Sequence, residues 1–149
     1  MTKHRLRYLF IVAAAIGAGA VAAFGLPASA AVSVQSQSPP VAAVSLGNKA
    51  KLDANGAVVF APVSVTCRPG SSAYLQVTVT ENVGKGIASG TTYETVEPCT
   101  GSVQKLTIAV TPTQRPFKAG VAFGQSWLTV CQSQCQTFRD FHNIQIVKK

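Results

Sequence analysis

The chain has 149 residues, 47% of them hydrophobic and only 12% charged, with thirteen Lys and Arg against five Asp and Glu for a net charge of +8. That is one domain's worth of sequence, and its cations are scattered along the chain, which argues against a nucleic-acid-binding surface. Five carboxylates and two His leave little material for acid–base or metal chemistry.

Lys3, Arg5 and Arg7 open the chain, an uncharged apolar stretch runs from Leu9 to Leu26, and Ala28-Ser29-Ala30 follows. This is the pattern of a secretory signal peptide over residues 1–30. The Ala- and Gly-rich stretch and Pro27 favour cleavage over retention as an anchor, and no Cys stands at the cleavage point to carry a lipid. Cleavage after Ala30 removes three of the thirteen basic residues and no acidic one, leaving a charge of +5 on 119 residues. The expected location is extracellular, where thiols oxidise, with no membrane attachment after cleavage. Residues 31–43 are expected to be a flexible lead-in, Ser-, Gln- and Pro-rich over 31–40, and residues 44–149 the folded domain.

Short strand signals then recur about every ten residues. Val41 to Leu46 and Lys49 to Asp53 are candidate strands, and Asp53-Ala54-Asn55-Gly56 is a hairpin turn that tolerates positive φ. Ala57 to Cys67 places Val59, Ala61, Val63, Val65 and Cys67 on one face. Pro62 denies that run a ladder hydrogen bond, so an edge position or a break is expected there. Arg68-Pro69-Gly70-Ser71 fits a type II turn. Ala73 to Glu81 alternates Leu75, Val77 and Val79 with Gln76, Thr78 and Thr80.

Residues 82–91 read as a Gly-rich connection, Thr92 to Val96 as a strand, and Val103 to Thr111 as another with Leu106, Ile108 and Val110 inward. Pro112 to Pro116 is a loop. Val121 to Cys131 places Phe123 and Trp127 together on one face. That face is read as the inner one, packed in the core or flooring a ligand cleft. Phe138 to Val147 closes the domain, with Ile144 and Ile146 as core candidates. Seven to eight short strands with turns between them predict an all-β, antiparallel, immunoglobulin-like β-sandwich. The antibody-type Cys…Trp…Cys order is absent.

Four Cys remain after cleavage, and an even count in an exported chain reads as two disulfides. Of three pairings, Cys67–Cys99 and Cys131–Cys135 are favoured, because only Gln132-Ser133-Gln134 separates the second pair and a tight hairpin sets its members opposite each other. Zinc is the rival, but there is one short Cys pair and one remaining His, His142, whereas structural zinc needs four ligands. No metal or cofactor is expected.

No catalytic motif is present. Asp140 and His142 share a strand face, and Asp140 is in position to orient His142 toward a serine, yet neither a nucleophile elbow nor oxyanion donors accompany them. Glu94 and Glu97 fall on opposite faces of a strand, which disfavours a paired-carboxylate site. Phe117, in Arg115-Pro116-Phe117-Lys118, either faces a partner from its loop or tucks beneath it.

Taken together, LDANGAVVFAPVSVTC, RPGSSAYLQVTVTE, GIASGT, PCTGSVQKLTIAVTP, PFKAGVAF, the late Cys pair and a terminal I-x-I resemble small secreted immunoglobulin-like proteins of actinomycete bacteria over about residues 44–147. A more distant resemblance is to the neocarzinostatin family of chromophore-binding apoproteins, where Cys131 and Cys135 resemble a short late bridge. Those chains are acidic, and their other bridge closes a shorter loop, so no chromophore-binding residue is carried over. The resemblance implies a fold and no reaction. The expected function is a noncatalytic secreted β-sandwich binding an extracellular ligand or cell-surface component, with Phe123, Trp127 and Phe117 as candidate ligand-binding residues. A small-molecule carrier is the alternative.

Overall fold

Period-two alternation dominates the folded chain. A computed structural model describes residues 41–149, and the signal-peptide expectation and residues 31–40 of the lead-in lie outside the described residues. Eight strands follow in order: β1 (Ala42–Leu46), β2 (Lys49–Asp53), β3 (Val58–Cys67), β4 (Ser72–Val83), β5 (Gly86–Val96), β6 (Gln104–Val110), β7 (Gly120–Cys131) and β8 (Cys135–Lys148). The strands begin earlier than residue 44, since Ala42 and Ala43 already pair with Cys67 and Thr66. Among the described residues there is no α-helix, only a 3₁₀ turn at Ala54–Gly56.

The architecture is an all-β, immunoglobulin-like sandwich with two disulfides. β3 lies between β6 on one side and β1 and β2 on the other, while β8, β7, β4 and β5 form the opposite layer in that order. β2 belongs to both layers. It pairs antiparallel with β3 through Lys51–Asp53 and parallel with β8 through Lys49–Leu52. This is the sheet's one parallel pairing, and it arises because the first strand is split in two: β1 stays on β3, and β2 crosses to β8. The inward residues of both layers, among them Val59, Val65, Leu75, Val77, Leu128 and Ile146, are fully buried and form the core.

Pro62 does not break β3 or put it at an edge. It sits in a central strand, registered with Thr107 of β6. The first strand breaks instead. Gly47 N–H donates to the Pro62 carbonyl at 2.7 Å, so the Pro62 nitrogen, which points to the same side, faces the kink between β1 and β2, where no acceptor needs it. The same contact requires glycine at 47, because a Cβ there would lie 2.6 Å from Pro62 Cγ.

Residues 82–91 are not a loop. The β4–β5 hairpin runs to Val83 paired with Gly86, and Gly84, at φ 62°, makes the tight turn with Lys85. Gly90 is a strand residue because the chain after β6 crosses directly over it: a Cβ would collide with the Thr111 carbonyl oxygen. The glycines that read as a loop signal here mark close backbone approach.

The loop after β6 folds inward. Phe117 is 1% exposed, and its N–H donates to the Gly56 carbonyl at 2.9 Å. Buried Glu81 accepts the Lys118 N–H at 2.8 Å, which satisfies a carboxylate that otherwise costs free energy to bury. Cys67–Cys99 ties the end of β3 to the β5–β6 connection, and Cys131–Cys135 closes the β7–β8 turn. The antibody bridge, by contrast, joins the two sheets directly.

In the loop-entropy account, replacing Cys67 and Cys99 together by Ala costs about 3.7 kcal/mol and replacing Cys131 and Cys135 about 2 kcal/mol. Urea unfolding of the two double variants measures the difference, and an equal loss from both contradicts the loop-length origin. Gly90→Ala costs about 2 kcal/mol through overpacking against Thr111, read as a lower urea midpoint with an unchanged slope.

Candidate functional site

The outer face of the layer β5–β4–β7–β8 carries the candidate site. Register fixes it row by row. Tyr93 of β5, Gln76 of β4, Trp127 of β7 and Arg139 of β8 form one row. Thr95, Tyr74, Thr129 and Thr137 form the row on one side of it, and Thr91, Thr78, Gln125 and Phe141 the row on the other. Phe123 lies in the next row, between Thr80 and Asn143.

Phe123 and Trp127 share a face, as their spacing requires, but it is the outer one. They are 39% and 38% exposed, whereas Ala122, Gly124, Ser126, Leu128 and Val130 point inward. Close packing by β1 sets this choice: a Cβ on Gly124 would collide with Leu46 Cδ2. The inner side of β7 accepts small residues there, and the bulky rings are left outside.

Tyr74, Tyr93 and Phe141 stand exposed on the same face, with Ile87 and Val121 toward the opposite end of the strands. These residues escaped the sequence reading. The outward phase of Tyr74 is legible from Leu75, Val77 and Val79, but only the pairing of β4 with both β5 and β7 gathers the three strands' outward residues into one surface.

The Arg139 guanidinium lies 5.1 Å from the Trp127 ring centroid, a cation–π stack between cross-strand partners. The rings of Phe123 and Phe141 lie 6.4 Å apart, tilted by 50°. Hydroxyls pair across the strands as well, Thr78 with Thr91 at 2.9 Å and Thr129 with Thr137 at 3.1 Å. Tyr74, Gln76, Tyr93, Trp127 and Thr129 border an open groove of about 290 Å³, with Glu94 at its β5 edge. In the paired outward positions of these four strands, Arg139 is the one charged side chain.

The remaining candidates lie elsewhere. Phe117 is buried and unavailable to a partner from its loop. Asp140 and His142 point to the inner side of β8, with Nδ1 of His142 3.3 Å from Oδ1 of Asp140. Asp140 Oδ2 accepts the Leu46 N–H at 2.8 Å, and Ser126 Oγ donates to the Asp140 carbonyl at 3.3 Å. The carboxylate therefore clamps β1 to β8, and the buried serine spends its proton on the backbone. All four Cys are in disulfides.

No protein-family model matches the chain, and no curated protein matches it. Among solved structures it is similar to Spo0M, a sporulation control protein from Bacillus subtilis, with 14% identity and a TM-score of 0.34 over 71% of this chain and 49% of that one. The chain spans about half the length of that neighbour.

Away from the aromatic face, Asp53 sits in an open groove with Lys118 and Lys149. Its carboxylate is held below its ordinary value of 3.8, first by the Ala54 N–H and then by the Lys149 ammonium 3.1 Å away. A depressed carboxylate contributes stability above its unfolded value and loses it as pH falls through the folded one. Asp53→Asn therefore lowers stability slightly at neutral pH and leaves it unchanged at pH below the folded value, so the acid limb of the urea-midpoint profile flattens. An identical acid limb in both proteins contradicts this.

Proposed function

We propose that the protein is a secreted, noncatalytic binding module whose working surface is the outer face of β5–β4–β7–β8. One observation carries the reading: seven of the nine large hydrophobic side chains exposed among the described residues stand on this face. Scattered exposed apolar residues are ordinary, but a concentration on one face of a sheet marks a contact surface. Export is supported by the signal-peptide pattern of residues 1–30 and by two disulfides, which persist in oxidising compartments. The noncatalytic part is supported by the structural engagement of Ser126 and Asp140 with backbone groups.

A carrier of the neocarzinostatin sort needs a concave cleft that encloses its ligand. The rings here stand on an open sheet face, which favours surface binding.

The test is retention on washed envelopes of producing cells, with protein recovered from culture medium and its N-terminus sequenced. Processed chain beginning at Ala31 is expected, retained at least about tenfold better than the triple variant Tyr74→Ser, Tyr93→Ser, Trp127→Ser. These positions are outside the core, so the variant should melt within a few degrees of the parent. Equal partitioning of parent and variant overturns the reading.

A further inference from the structure

Resting on that binding-face reading, we propose that the occupant of the face is an uncharged polysaccharide chain. Tyr93 and Trp127 project from the same row with Gln76 between them, and Tyr74 projects from the neighbouring row. Two strand spacings separate the first two rings, about 10 Å. That matches the repeat of a disaccharide in an extended glycan, so successive sugar rings reach successive aromatic rings. The C–H face of a pyranose is weakly positive and the face of an aromatic ring is negative, so the two stack with a preference that plain apolar burial lacks.

Hydroxyls and amides fill the space between the rings. Each Thr–Thr pair consumes one donor and one acceptor, which leaves the pair one further donor and three acceptors for a ligand. Gln76 and Gln125 add amide donors and acceptors on the same face. A polyol offers the complementary set, many hydroxyls that both donate and accept. Arg139, the one charged side chain at a paired outward position, is already stacked on Trp127 and serves to hold that ring, and Glu94 stands at the groove's edge in the opposite strand phase.

Other occupants fit less well. Stacking on aromatic rings also suits single-stranded nucleic acid, but such sites need a cationic groove along the backbone, and this face has one cation. A second copy of the chain needs about 800 Å² per partner. Four strands about 4.8 Å apart and 11 to 14 residues long offer roughly 800 Å², the minimum for such an interface, so a second copy is an outcome that the test distinguishes.

The experiment uses the disulfide-intact chain and a fixed panel: cellulose, chitin, xylan, mannan and mixed-linkage β-glucan as neutral probes, polygalacturonate and heparin as anionic ones. Trp127 is the one Trp in the chain, so its emission reports this face directly. At least one neutral glycan should shift Trp127 emission, or for the insoluble members sediment the protein. Binding should be unchanged between about 0.05 and 0.5 M NaCl, a range over which screening suppresses contacts made by surface charge. Tyr93→Ala and Trp127→Ala should each weaken sedimentation or affinity-gel retardation about tenfold, and Gln76→Ala several-fold, with melting temperatures close to the parent's.

Binding to the anionic probes alone, lost at high salt, overturns the proposal, as does failure of every neutral glycan. If the ring variants instead convert a dimer to a monomer in sedimentation, the face is still a binding surface and its occupant is a second copy, so only the glycan assignment falls. If the ring variants alter neither glycan binding, assembly nor envelope retention, the binding-face reading falls with it.

Discussion

The tight seat of β1 against the inner side of β7 is the constraint on which the rest of the structure depends. Leu46 occupies the space where a side chain on Gly124 would stand, and its N–H is held by the Asp140 carboxylate. A core packed this closely leaves no volume for bulky residues on the facing strand. Strand alternation then gives every bulky residue of β7 between Val121 and Trp127 to the outer face. Packing inside the molecule thus produces the exposed ring surface outside it.

The same seat explains why the first strand breaks. β1 stays over β7 and β8 while it pairs with β3, and β2 must then move sideways to reach β8. Gly47 takes up that shift opposite Pro62, the one position of β3 that has no N–H to offer. Each residue is costly in a strand by itself, and together they make a corner that joins two layers.

Much of this was legible in the chain. Strand signals place eight candidate strands, the fifth only over its second half, and the short Cys131–Cys135 spacing favours the pairing that the structure has. The failures share a cause, which is that sequence pattern reports phase but not neighbours. Pro62 signals a break in its own strand, when what matters is the gap in the strand beside it. Gly86 and Gly90 suggest a Gly-rich connection, when Arg115 and the Thr111 carbonyl press on them from above. As aromatic residues Phe123 and Trp127 suggest the inner face, in the core or flooring a cleft, although Ala122, Gly124 and Leu128 carry the same alternation in the opposite phase. Tyr74 and Tyr93 are far from Trp127 in sequence, and only register brings them beside it.

The two disulfides have a consequence for how the molecule breathes. Both lie at the same end of the sandwich, near Ala42, Ser72 and Val96, while the end around Phe117 and Glu81 is closed by packing, hydrogen bonds and the Asp53–Lys149 ion pair, with no covalent bridge. Transient opening starts where the restraints are reversible, so fraying begins at the Phe117 pole and runs toward the sulfurs. Tyr74, Tyr93 and Trp127 sit within a few residues of the covalently clamped pole. They are the last part of the outer surface to lose its shape, and they outlast partial unfolding of the remainder in harsh surroundings.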